Sequence, residues 1–208
     1  MPINKIRGQE QYVYDVDSPH TTEAAYLGQI AIIERSVTEA AAASNTAVHA
    51  SITAGEAAQT ITTGITNPPC PRNITISCAK GSAEGDNMEG NVVITGTNIF
   101  GETITDTIAE GADGTIEGTV AFKTVTSILV PARVSEGNAI TVGFGDKLGL
   151  PFYLYHIDQV IQCSLNYAIE SNRATVVADD DEIEKNTILL NSALNDQVVR
   201  IIVAIYRE

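Results

Sequence analysis

Between residues 72 and 144 the chain alternates apolar β-branched residues with small polar ones. Ile74, Ile76 and Cys78 take one side of the alternation, and Asn73, Thr75 and Ser77 take the other. Ile140, Val142 and Phe144 repeat it against Ala139, Thr141 and Gly143. Successive side chains of a strand face opposite sides of a sheet, so this period gives one core face and one solvent face. The pattern predicts strands over 47–53, 58–63, 72–78, 91–97, 102–108, 119–129 and 139–143. Turn formers fill the connectors: Asn67-Pro68-Pro69-Cys70-Pro71, then residues 81–90, 98–101, 111–118 and 136–138. Asn98-Ile99-Phe100-Gly101 reads as a four-residue hairpin loop with Gly101 at positive φ. Strands of this length and spacing imply an all-β, antiparallel β-sandwich, immunoglobulin-like or jelly-roll-like.

The two ends read differently. Residues 1–20 mix charges, tyrosines and proline without a period, as an extended N-terminal arm that orders against a partner. Tyr26-Leu27-Gly28-Gln29-Ile30-Ala31-Ile32-Ile33 is a candidate strand. Ser36 and Glu39 have capping-box spacing at the head of SVTEAAAAS, which is long enough for one or two helical turns. Residues 1–45 are thus an arm with a short ordered segment, and residues 46–208 one continuous β-sandwich domain. Beyond Pro151 the apolar content rises. Segment 159–169 fits a strand or a helix on pattern alone, and segment 198–206 is apolar on both faces, as in a central or doubly covered strand. Residues 152–169 add Phe152, Tyr153, Tyr155, Ile157, Val160, Ile161, Leu165, Tyr167 and Ile169. That exceeds the need of one sandwich interior, so part of it is expected at a subunit interface.

Composition narrows the classes. With 208 residues and 44% hydrophobic content the chain can bury a core. Its formal charge of -14 argues against nucleic-acid binding. The eight acidic residues between Gly81 and Phe122, with no Lys or Arg among them, read as a solvated sheet face. The absence of Trp argues against an aromatic sugar cleft. No apolar run approaches the ~20 residues of a membrane span, and the first residues lack the apolar stretch of a signal peptide. The expectation is a soluble chain made in a cytoplasm, with no membrane partner. Cys70, Cys78 and Cys163 form no CxxC, so neither a disulfide nor a zinc site is expected.

Chemical motifs are sparse. Gly143-Phe144-Gly145-Asp146-Lys147-Leu148-Gly149 superficially matches a dinucleotide loop, but its third glycine is one position late and no helix pattern follows. It reads as a turn leaving a strand. Asp179-Asp180-Asp181-Glu182 lacks the alternating ligands and central glycine of a calcium loop and reads as a solvated acidic turn. His20, His49 and His156 are isolated, with no HExxH or GxSxG nearby. No catalytic, cofactor-binding or metal-ligating residue is assigned, no cofactor is expected, and the chain reads as a non-enzyme.

The segments TITTGITNPPCPRNITISC, GNVVITGTNIFGETITDTI, GTVAFKTVTSILVPA and ITVGFGDKLGLPF resemble β-sandwich virion proteins from tailed-bacteriophage structural gene clusters. The closing stretch EIEKNTILLNSALNDQVVRIIVAIY is similar to the end of the same proteins. The resemblance covers residues 46–208, rests on repeated segments rather than a catalytic signature, and carries over no functional residue. Cys70 departs from it, standing where a polar residue is expected. It implies a capsid decoration (head-stabilising) protein on the outer capsid surface of the virion. The expected partners are the major capsid protein and further copies of the chain, as a homo-oligomer and most naturally a trimer. The alternative is a receptor- or carbohydrate-binding module of a tail fibre or baseplate. A wall-degrading hydrolase would need a paired-carboxylate or nucleophile motif that the sequence does not offer.

Overall fold

The computed structural model describes residues 29–53, 55–78, 90–109, 114–132 and 139–205. The arm expected at residues 1–20, the start of the candidate strand at 26–28, and most of the loops at 81–90, 111–113 and 136–138 lie outside them. The first strands in chain order are β1 (Gln29–Arg35), β2 (Ser44–Thr53), β3 (Gln59–Ile61) and β4 (Arg72–Cys78). Then come β5 (Val92–Thr97), β6 (Thr103–Ile108), β7 (Gly114–Phe122), β8 (Thr124–Val130) and β9 (Ala139–Gly149). The last are β10 (Val160–Leu165), β11 (Ala168–Ile169), β12 (Thr175–Val177), β13 (Thr187–Leu189) and β14 (Val199–Ile205). Two single 3-10 turns, Ile157–Gln159 and Ile183–Lys185, are the helical elements among the described residues.

The strands pair antiparallel throughout, in three sheets. A central sheet runs β12-β13-β9-β4-β7, with β2 also on β9. The sheet β3-β8-β5-β6 faces it, and Val48, Ile74, Ile76, Val92, Ile94, Phe122, Ile128, Ile140 and Val142 fill the space between. This is the expected all-β antiparallel sandwich. A third sheet, β1-β14-β10-β11, closes a second core with Ile33, Cys70, Leu148, Leu150, Leu154, Ile188, Leu194, Val199, Ile201 and Val203. The segment before residue 46 thus supplies a strand, β1, that pairs in full with β14 near the other end of the chain. Its Ser36–Glu39 capping box closes as the spacing predicts: the Ser36 amide and hydroxyl donate to Glu39 Oε2 at 3.0 and 2.9 Å, and the Glu39 amide donates to Ser36 Oγ at 3.3 Å.

Three expectations change. Segment 119–129 is two strands, parted at Lys123, where Gly96 and Thr124 approach too closely for any side chain at position 96, and the first of them begins at Gly114, so that residues 114–118 are strand where a connector was expected. Segment 159–169 is a hairpin, β10 and β11, joined at Asn166 and Tyr167 with φ of 47° and 67°. Residues 143–149 are strand rather than turn, because these glycines serve close packing. A Cβ on Gly143 would land on the Ser44 carbonyl oxygen of β2. One on Gly145 would lie 2.6 Å from Asn73 Oδ1, and one on Gly149 would lie 2.7 Å from Ala121 Cβ.

β4 is flanked by two bulges at one level. Between Arg72 and Ile74 it faces Leu148 and Phe144 of β9, and between Asn73 and Thr75 it faces Ala121 and Glu117 of β7, so each neighbour carries extra residues. A bulge leaves backbone groups without ladder partners, and here side chains supply them. Asn73 Oδ1 accepts the Lys147 amide at 3.1 Å, and Asp106 Oδ2 accepts the Thr119 amide at 2.8 Å from the facing sheet.

Gly143→Ala should therefore cost about 3 kcal/mol or more, since backbone must move to admit the methyl. Gly101→Ala, at φ 87° but in open space, should cost only about 1 kcal/mol. Urea unfolding of both variants measures the difference, and equal losses would refute the packing role of Gly143.

Candidate functional site

The most concentrated polar chemistry lies where the two cores meet. Along β4 and the residues leading into it, the row Cys70, Arg72, Ile74, Ile76 passes from the second core to the first, and in β9 the row Leu148, Asp146, Phe144, Val142 does the same. Arg72 and Asp146 interrupt both apolar rows at the same level. Arg72 is fully buried. Its Nε donates to the Gly145 carbonyl at 2.7 Å, Nη1 to the Ala41 carbonyl at 2.9 Å, and Nη2 to Asp146 Oδ1 at 3.1 Å. The guanidinium also stands 4.7 Å from the centroid of the Phe144 ring. Burial lowers the Arg72 pKa from its ordinary value and raises that of Asp146 further than the Arg72 charge pulls it down. Every guanidinium nitrogen is engaged and the group is shut off from solvent, so it ties elements together and is not open to a ligand.

The acidic run is likewise structural. Asp179 Oδ1 accepts the amides of Asp181 at 3.0 Å and Glu182 at 2.7 Å, which holds the Asp179 carboxyl below its usual range. Lys185 pairs with Glu182 and lies 3.8 Å from Asp179. Buried Asn186 locks this turn from beneath, with Oδ1 accepting the amides of Leu154 and Asp179 and Nδ2 donating to the carbonyls of Asp179 and Glu182. Among the described residues no group of three or more His, Cys, Asp or Glu is placed to hold a metal ion.

The other sequence candidates do not converge. His20 lies outside the described residues. His49 sits on β2 against Gly64, and exposed His156 lies 3.6 Å from Asp158. Cys70, Cys78 and Cys163 are buried and in no disulfide. Cys70 Sγ lies 3.3 Å from the Glu39 carbonyl, so the thiol fills the place where a polar residue was expected as a weak donor. Desolvation pushes the Cys163 thiol up to about 11, so it is not a thiolate at neutral pH.

A groove of about 550 Å³ lies beside the β10–β11 hairpin. Val160, Ile161, Cys163 and Ile169 line it with residues 170–174 and Asp158. Its outer wall is held in place: Asn191 Nδ2 donates to the carbonyls of Asn172 and Arg173, and the Ser192 amide donates to Glu170 Oε2. Arg173 bridges to Asp158 at 2.6 Å and donates to the Ile157 carbonyl at 3.0 Å, and this contact lowers the Asp158 pKa. Ile161 and Ile169 of the groove lining stand exposed, as do Ile157 and Tyr167, close to them in sequence. The apolar excess read in residues 152–169 thus divides: Leu154, Val160 and Leu165 are core, and Tyr153, Tyr155, Ile157, Ile161, Tyr167 and Ile169 are surface.

No helix of the described residues is long and apolar enough to cross a membrane. No protein-family model matches the chain, and neither does any curated protein or solved structure.

Arg72→Met should cost about 3 kcal/mol, because it strands the Gly145 and Ala41 carbonyls and leaves Asp146 without its partner. Arg72→Lys should not restore the loss, since an ammonium lacks the planar fork that reaches several acceptors. Denaturant unfolding decides it, and an unchanged midpoint in Arg72→Met would refute the role.

The pH dependence has a definite sign. Burial pushes the Glu39 carboxyl up, but the Ser36 hydrogen bonds and the Arg35 charge outweigh it and hold its pKa below the ordinary value. Glu39, Asp158 and Asp179, all lowered, add stability above the ordinary carboxylate range that is lost as pH falls through their folded pKa values. Asp146, raised, acts in the opposite sense. Urea midpoints taken as pH falls through the carboxylate range should decline, less steeply in Glu39→Gln and more steeply in Asp146→Asn. A shallower decline in Asp146→Asn would overturn that assignment.

Proposed function

We propose that this chain is a structural virion protein that decorates the outer surface of a phage capsid. It binds the major capsid protein and self-associates as a closed homo-oligomer, with a trimer suited to three-fold lattice positions. The observation that carries the reading is the apolar surface around Ile157, Ile161, Tyr167 and Ile169, borne outward on an all-β scaffold. An exposed apolar patch of that kind, rimmed by polar groups, commonly marks a site of interaction. The segmental resemblance described above supplies the virion context. The charge of -14 suits the outer face of a shell, since the inner face would set it against DNA phosphates.

The groove gives the tail-fibre or baseplate reading its best support. Asp158, Gln162, Asn172 and Arg173 offer it the carboxylate, amide and guanidinium groups that sugar hydroxyls pair with. Gold-labelled antibody against the chain, viewed on purified virions by electron microscopy, separates the two. Label over the whole head is the expected outcome. Label confined to the tail would transfer the chain to the second reading, and unlabelled virions would sink both.

A further inference from the structure

We infer that the face formed by the β10–β11 hairpin and the groove beside it is where two copies of this chain meet. The inference deepens the self-association in the proposed function and names its surface. Three independent observations point there.

The first is area. Ile157, Ile161, Tyr167 and Ile169 are 46%, 56%, 72% and 66% exposed. At roughly 150–250 Å² for each fully exposed large side chain, these four leave about 400 Å² of mostly apolar surface to water. A stable interface covers about 800 Å² per partner, so the four supply about half, and a wider ring of polar surface around them would have to supply the remainder.

The second is backbone. Tyr167 takes φ 67° at the second position of the hairpin turn, with Asn166 at 47° before it. A two-residue turn of this kind is met without strain by Asn-Gly, and a bulky aromatic in the left-handed region is uncommon. Glycine would serve the fold better. A tyrosine held there at a cost, with most of its ring in water, serves something the turn does not need.

The third is charge. Of the basic residues, Arg173 and Arg200 are exposed at this face: Arg173 in the groove wall, Arg200 in register with Ser164 and so with Ile169 across the sheet. Against them stand Asp158, Glu170 and Glu34, the last paired in register with Arg200, so the face mixes both signs and is close to balanced on a chain whose formal charge is -14. A face of mixed sign lowers the repulsion that two copies of so acidic a chain would otherwise meet. A strongly basic partner would favour the acidic remainder of the surface. Arg173 of one copy can instead meet Glu170 of the next, and a mixed rim around an apolar centre is the anatomy of a protein–protein contact.

Sedimentation equilibrium of the full chain at tens of micromolar tests this. We expect a closed oligomer whose dissociation constant rises at least about tenfold in Ile161→Asp/Ile169→Asp and again in Tyr167→Asp. Tyr167→Asp leaves the core untouched and keeps the test decisive where the double variant fails to fold. Phe100→Asp, at an exposed site on the β5–β6 hairpin, should leave association unchanged. A monomeric wild type, an oligomer indifferent to Tyr167→Asp, or equal weakening by Phe100→Asp would each overturn the inference. Failure of the capsid reading is seen separately, as unlabelled virions with self-association intact.

Discussion

A guanidinium with no access to water sets the register on which both cores depend. A buried ion pair adds little net stability by itself, because desolvation offsets most of its attraction. What Arg72 does is geometric. The bulge of β9 frees the Gly145 carbonyl, and the chain entering from β1 brings the Ala41 carbonyl to the same spot. One planar fork reaches both, with Asp146 on its remaining edge and the Phe144 face against it. An apolar residue of similar length would leave those carbonyls unpaired, at about 1–3 kcal/mol each. The charge is therefore held at the one level where β4, β9 and the loop after β1 must agree. Below that level the central sheet serves the sandwich, and above it the second core.

The same device recurs at smaller scale. Buried Gln159 accepts the amides of Tyr155 and His156 and donates to the Ala204 carbonyl, tying the tyrosine-rich loop to β14. Asn98 accepts the amides of Phe100 and Glu102 and donates to Glu102, fixing the tip of the β5–β6 hairpin. Asn186 makes four such bonds and Asp106 seals the bulge of β7. Each of these segments is held by an internal side chain rather than left to solvent. A surface carried on such loops would lose less conformational entropy on meeting a partner.

Strands inside the sandwich were legible because one face is buried and the period is two. Strand 72–78 agrees residue for residue with β4, and the pair 91–97 and 102–108 falls within one residue of β5 and β6, with Gly101 at φ 87° as the loop required. Pattern failed where a residue type has two uses. Gly143, Gly145 and Gly149 read as a turn because glycine frees the backbone, whereas here it admits neighbouring chain, and sequence does not distinguish the two. Lys123 broke a run that looked continuous. The pairing of β1 with β14 joins positions 29 and 205, and no local signal announces a partner so distant. A signal for the junction was present but unread: Arg72 and Asp146 each occupy a position that the alternation reserves for an apolar side chain. A charge in an apolar row predicts a buried partner in a neighbouring row.

That long-range pairing bears directly on the proposed contact between copies. Ile169 lies on β11, which has only β10 beside it, β10 is held by β14, and β14 by β1 on its other edge. The apolar face thus rests on a sheet whose members come from both sides of the sandwich sequence, and it exists only when the ends of the described chain have met. β11 itself is an edge of two residues, too short to recruit a strand by backbone pairing. What it offers is side chains: Ile169 on the strand and Tyr167 at its turn. An edge kept short while its turn carries a strained, exposed aromatic favours a specific side-chain contact over open-ended strand addition. Closed assembly needs that distinction, since a contact made through side-chain shape fixes an angle between copies, whereas a free edge adds strands without limit.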